Sequence, residues 1–204
     1  MKQFWNDRYA SNQFAYGREP NVFFKQELDQ LAEGKILLPA DGEGRNSVYA
    51  AKLGWKSYAC DISDTGMEKA QKLAVENEVN LNYSVGDFGD LPYENEFFDA
   101  IALIWAHFPA EKKNAYHALA DRYLKGGGTI ILEAFSKNHL KFNSQDPRAG
   151  GPKQIEMLYS IEEVKKDFPN YDVLTLEETE IDLNEGEFHI GRGSVVRFVG
   201  RKRT

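Results

Sequence analysis

Apolar residues along this chain switch between two spacings, and the switches divide it into elements. Ile36-Leu37-Leu38 is an apolar run that leads into a polar, glycine-containing turn, Ala40-Asp41-Gly42-Glu43-Gly44. A helix-like stretch, 45–53, follows. Upstream, Asn21 is a plausible N-cap, and Val22, Phe23, Phe24, Leu28 and Leu31 mark the buried stripe of a helix ending near Gly34. Residues 56–62 read as a second strand ending at Asp61, and Ser63 caps a long helix over 64–77, with Met67, Ala70, Leu73 and Ala74 at helical spacing. A third strand is expected at 81–85, followed by Gly86-Asp87-Phe88. The runs 98–104 and 129–134 are almost wholly apolar, as in strands buried on both faces of a parallel sheet. Between them lies a helix over 109–124, ended by Lys125-Gly126-Gly127-Gly128.

Strand and helix alternate through this stretch, which predicts a doubly wound α/β fold. The pattern then changes. Residues 135–153 are polar and hold Pro147, Gly150, Gly151 and Pro152, so a long loop is expected, and loops of that length are usually functional. A short helix over 161–168 and two strand-like runs, 172–181 and 188–200, close the chain, with Asn184-Glu185-Gly186 as the hairpin turn. The expected architecture is a mostly parallel seven-stranded sheet with a C-terminal antiparallel hairpin and helices on both faces. The whole of 1–204 reads as one domain: a leader over 1–21, a core over 22–135, and the loop, helix and hairpin over 136–204. The leader is crowded with Phe4, Trp5, Tyr9, Phe14 and Tyr16. These rings either pack it onto the body or close it over a ligand.

Composition removes some function classes. A formal charge of −7 argues against broad nucleic-acid binding, which needs basic surface. No apolar run is long enough to span a membrane, and the first residues lack the apolar core of a signal peptide. Cys60 is the only cysteine, so no intrachain disulfide forms and a reducing cytoplasm is the expected compartment. No His/Cys cluster has metal-ligand spacing, so no metal is expected.

Ligands of open α/β sheets bind beyond the carboxyl ends of the strands. Those ends carry Asp41, Glu43, Asp61, Asp87, Trp105, His107 and Glu133. Asp61 suits the two hydroxyls of a ribose, and Asp87 with Phe88 suits an adenine. Asp41 and Glu43 would repel a pyrophosphate in the turn. A cationic, phosphate-free adenosine compound fits better, and S-adenosylmethionine is one. His107, just past strand four, is the candidate general base should the nucleophile need one. Tyr16, Arg18, Trp105 and Phe108 are candidates for lining an acceptor pocket, with 135–153 as a lid. His189 reads as structural.

The runs GEGRN at 42–46, CDIS at 60–63, GDF at 86–88, FFDAIALIWAHF at 97–108 and LKGGGTIILE at 124–133 resemble, in order and spacing, those of class I S-adenosylmethionine-dependent methyltransferases. FWNDRY at 4–9, YGREPN at 16–21 and GGPKQIEMLYSIEEVKKDF at 150–168 resemble the small branch that includes tellurite-resistance and thiopurine methyltransferases. The resemblance implies a Rossmann-like fold and a methyl transfer to a small molecule, such as a thiol or another soft chalcogen nucleophile. It implies that Gly42, Glu43 and Gly44, with Ala40, Asp41 and Asn46 beside them, approach the methionine part of the cofactor. Asp61 would hold the ribose, Ile62 would lie against the adenine, Asp87 and Phe88 would hold the adenine, and Ile104 and Trp105 would border the sulfonium. Leu38 and Ala40 stand where the family has an acidic residue and a further glycine, so the methionine amino group must be met by Asp41, a backbone carbonyl or the leader. The competing readings are a non-catalytic adenosyl- or partner-binding module and, with Asp61 on an NAD ribose, an oxidoreductase. The sequence is silent on oligomeric state.

Overall fold

The computed structural model describes all of Met1–Thr204. Seven strands form one sheet: β1 (Lys35–Pro39), β2 (Lys56–Asp61), β3 (Asn82–Val85), β4 (Phe98–Ile104), β5 (Leu124–Phe135), β6 (Tyr171–Glu185) and β7 (His189–Lys202). Their order is β3-β2-β1-β4-β5-β7-β6. The first five are parallel, and β7 runs antiparallel between β5 and β6. This is the expected mostly parallel sheet with an antiparallel ending.

Alternation along the central strands builds two cores. Leu37, Ile101, Leu103, Ile130 and Leu132 face one side, where they join residues of α5 (Ala110–Tyr123) and α7 (Ile161–Asp167). Ile36, Leu38, Ala100, Ala102, Ile104 and Ile131 face the other, against α2 (Val22–Leu28) and α3 (Arg45–Lys52). Both faces are therefore dry, which is why β4 reads as an unbroken apolar run. Helix α4 (Asp64–Glu76) packs on α3 through Leu73, Ala74 and Val48.

Several boundaries differ from the sequence reading. The helix expected to reach Gly34 stops at Leu28. Strand β5 begins at Leu124, before the glycines expected to precede it. The hairpin strands are longer than expected, and Glu185 is the last residue of β6, paired with His189, rather than the middle of the turn. The stretch expected as a loop over 135–153 holds short 3-10 turns and the single-turn helix α6 (Leu140–Asn143). Its Ser136, His139, Asn143 and Ala149 are buried. Asn143 Nδ2 donates to the carbonyls of Gly150 and Pro152, both at 3.2 Å. The segment is thus a fixed wall beside β5 and β7, not the lid its composition suggested. The leader begins with α1 (Lys2–Tyr9) and continues as irregular chain to Asn21.

Candidate active site

The sheet changes winding direction between β1 and β4, the point beyond whose carboxyl ends ligands of such sheets bind. Two non-glycine residues with left-handed backbone flank it. Ala40 follows β1 at φ 56°, and Trp105 follows β4 at φ 55°. Such strain costs on the order of 1–3 kcal/mol and concentrates where a structure must present groups to a ligand.

The glycine turn is held tightly from three sides. Gly44 has φ 86° and starts α3; a Cβ there would lie 2.5 Å from the Ala70 Cβ of α4. Gly42 has φ 58°, and a Cβ there would meet the Tyr9 hydroxyl. Tyr83 donates to the Gly42 carbonyl at 2.6 Å. The Tyr9 ring of α1 therefore covers the turn, with Trp5 stacked on it at 5.5 Å.

Two buried carboxylates face one another across β1 and β2. Asp61 accepts from the Gly42 N–H at 3.1 Å on one oxygen and from the Ser63 N–H at 2.9 Å on the other. Burial pushes its carboxyl up to about 6, against the pull of these N–H groups. Both oxygens of Asp41 are buried with no donor in hydrogen-bond geometry. The nearby Ser47 hydroxyl donates to the Gly44 carbonyl instead, at 3.1 Å. Burial pushes Asp41 up to about 7, with nearby Ser47 and the Arg45 charge pulling against it and the Asp61 charge adding to it. A buried acceptor without a partner is costly, so the site asks for a cation or a hydrogen-bond donor.

Several other residues expected at the cofactor already have partners within the chain. Glu43 pairs with Lys69 and accepts from the Ala15 N–H at 2.8 Å, so it fastens the leader. Asn46 accepts from the Asn21 N–H at 2.9 Å. Asp87 accepts from the Lys112 ammonium at 2.6 Å, from the Gly89 N–H at 2.9 Å and from the Tyr116 hydroxyl. The Phe88 ring lies in the core against Phe108 and Tyr116, at 5.9 and 5.4 Å, which leaves only its backbone for an adenine. Ile62 is half-buried just past Asp61, and Ile104 is buried at the end of β4.

The acceptor side is corrected more strongly. His107 cannot serve as the base. Its Nδ1 lies 3.1 Å from the Met157 carbonyl, and its Nε2 accepts from the Phe135 N–H at 3.2 Å. Neither nitrogen is free, and burial lowers the imidazole to about 3. Arg18 points outward to Glu76 on exposed surface. Phe108 packs in the core at 4.9 Å from Tyr116. Tyr16 and Trp105 do converge, on either side of the His189 ring, at 4.6 and 4.8 Å.

The sequence reading missed Glu185. From the hairpin tip its Oε2 accepts from Trp105 Nε1 at 2.8 Å, from Arg45 Nη2 at 2.9 Å and from His189 Nδ1 at 3.1 Å. Its Oε1 accepts from Asn21 Nδ2 at 3.0 Å. Burial opposes the charge, but Arg45 and His189 together outweigh it and lower the carboxyl to about 2. Asn21 passes the network on to Glu133, which Arg197 also pairs at 2.6 Å. No local signal marks Glu185, because its partners lie up to 164 residues away.

Comparison with known proteins places this geometry. A family model described as a methyltransferase domain matches residues 36–128. The chain is 21% identical to a thiopurine S-methyltransferase of Legionella pneumophila, over 98% of this chain and 96% of the relative. Among solved structures, one described for the conversion of a disulfide bond into a thioacetal group during echinomycin biosynthesis superposes with a TM-score of 0.79 at 17% identity, covering 100% of this chain and 92% of the other. An S-adenosylmethionine-dependent methyltransferase of Methanosarcina mazei superposes at 0.70 with 16% identity, covering 91% and 99%. By these superpositions the chain has the fold of S-adenosylmethionine-dependent methyltransferases, and its residues 36–128 match the methyltransferase-domain model.

Proposed function

We propose that this enzyme transfers a methyl group to a small thiol or related soft chalcogen nucleophile. The observation that carries the cofactor side is the orphaned Asp41 carboxylate beside Asp61. An ammonium or sulfonium cation brought against Asp41 would restore the partner that burial demands. When bound, S-adenosylmethionine supplies a methyl group already activated on a sulfonium. The chain's own part is to hold and orient. Asp41 would meet the methionine ammonium, doing from inside the turn what Leu38 cannot. Asp61 would accept from the ribose hydroxyls with the lone pairs its two backbone N–H donors leave free. Ile62 would lie against the adenine, Asp87 and the Phe88 backbone would flank it, and Ala40, Gly42 and Gly44 would let the backbone approach. Ile104 and Trp105 would form the wall beside the reacting carbon. The leader, through Tyr9 and Tyr16, would roof the site and exclude water.

The acceptor reading draws on two relatives. One is described as a thiopurine S-methyltransferase, and another structure was described for chemistry at a disulfide. The aromatic walls supplied by Tyr16, Trp105 and Phe135 suit a polarisable sulfur better than a hydrated oxygen nucleophile.

Calorimetric titration with S-adenosylmethionine, S-adenosylhomocysteine and NAD tests the first half. The two adenosyl compounds should bind and NAD should not. NAD binding alone would turn the reading toward an oxidoreductase. A screen of small thiols with the bound methyl donor tests the second half, and methyl transfer to hydroxyl acceptors alone would overturn it.

A further inference from the structure

We infer that His189, oriented by Glu185, is the general base that takes the proton from a thiol acceptor. The inference rests on the thiol reading above. His189 opens β7 directly opposite Glu185 at the end of β6. Its Nδ1 lies 3.1 Å from Glu185 Oε2. A carboxylate held ionised by Arg45, Asn21 and the Trp105 indole can only accept there, so Nδ1 carries the ring proton and the lone pair sits on Nε2. Nε2 has no hydrogen-bond partner in the chain. A carboxylate on one nitrogen and a free lone pair on the other is the arrangement that orients an imidazole for proton abstraction. His107 lacks both features.

The position fits as well. β7 runs antiparallel to β5 and extends past its carboxyl end, since Phe135 pairs with Val195 while His189 lies six residues further out. The ring therefore lies beyond the carboxyl end of β5, bounded by Tyr16, Trp105 and Phe135 at 4.6, 4.8 and 5.1 Å, with Gly150 beside its Nε2 edge. The charged and titratable groups that face it are Glu185 from β6, Arg45 from α3 and Arg8 from α1, with His107 and His139 nearby. Burial, with the two arginines, lowers the ring's affinity for a proton, and Glu185 raises it. The imidazole is consequently neutral before the acceptor arrives and is stabilised by Glu185 once charged.

In the step itself, the acceptor S–H bond breaks and its electron pair stays on sulfur. The proton forms a new N–H bond at Nε2 and later leaves to solvent. The thiolate is the species that takes the methyl group. Such a base helps only an acceptor that arrives protonated. General-base catalysis contributes about 10²–10⁴-fold.

The experiment compares 2-mercaptoethanol, protonated at neutral pH, with 4-nitrothiophenol, already ionised there. It is run on wild type, His189→Gln, His189→Ala with added imidazole, and Glu185→Gln, with S-adenosylhomocysteine affinity as the fold control. His189→Gln should lose about 100-fold or more with the alkyl thiol and stay within about threefold with the aryl thiol. Imidazole should restore part of the alkyl-thiol rate to His189→Ala, and Glu185→Gln should show a smaller loss of the same selectivity. Equal losses on both thiols, or no loss on either, overturn the inference. If wild type binds the adenosyl compounds but methylates neither thiol, the thiol reading falls first and this inference with it.

Discussion

Asp41 is the residue on which ligand and stability meet. Burial raises its carboxyl from an ordinary value of about 4 to about 7. Between those values the folded chain holds a proton that the unfolded chain has released. Stability contributed by this group therefore falls as pH rises from about 4 to about 7, and the destabilisation is complete above that. Asn cannot ionise. Asp41→Asn should melt above the ligand-free wild type at pH 8, by a difference on the order of 10 °C, and the gap should narrow through pH 5 and close near pH 4. Affinity for S-adenosylmethionine should move the other way, falling about 10- to 100-fold in the variant. Parallel melting and calorimetry across this range check both signs, and a gap that widens toward pH 5 would contradict the burial argument. His107 teaches the complementary lesson. It sits where sequence position suggested a base, yet the Met157 carbonyl and the Phe135 N–H occupy both of its nitrogens. Position along a strand end does not reveal which ring nitrogen is free.

At the scale of elements, the leader is docked by charge rather than by its aromatic rings alone. Lys69 of α4 donates to the carbonyls of Ser11 and Gln13 at 2.9 and 2.7 Å and pairs with Glu43 of the glycine turn. Glu43 and Lys69 are both buried, so removing one partner leaves a buried charge and costs about 3–5 kcal/mol. Lys69→Met should lower stability by that order and make the first twenty residues sensitive to limited proteolysis. Adding Glu43→Gln should recover part of the loss. An unchanged cleavage rate would mean that Tyr9 and Trp5 hold the leader unaided. This contrast also marks what is legible in sequence. Strands β1, β4 and β5 announce themselves because a strand covered on both faces must be apolar throughout, and the glycine turn shows because close packing of Gly44 on Ala70 excludes a side chain. Lys69 looks like any helix lysine, Glu185 looks like a turn residue, and the Phe88 ring looks free. Their roles arise from contacts made across the fold, which no local pattern encodes.

At the scale of the molecule, the leader and the hairpin tip behave as one roof. Glu187 N–H donates to the Ala15 carbonyl at 3.0 Å, and a Cβ at Gly186 would strike that same carbonyl. Arg45 donates to the Tyr16 carbonyl at 2.9 Å and to Glu185, tying both pieces to the helix that starts at the glycine turn. Elements far apart in sequence thus share one set of charged partners, and neither can lift without unpairing groups that hold the other. Local opening with few buried apolar contacts is the low-energy route by which a ligand enters a roofed site. Binding at the strand ends should therefore slow exchange in both pieces together. Amide hydrogen exchange on wild type, with and without S-adenosylhomocysteine, should show protection rising in residues 5–21 and in 184–191 by similar factors, with little change at the outer edge of β6. Replacing Arg45 with Met should uncouple the two, leaving the leader protected through Lys69 while the hairpin tip exchanges as in the ligand-free protein. Protection confined to the leader in wild type would show that the roof is a single flap and that the Glu185 network is scaffolding alone.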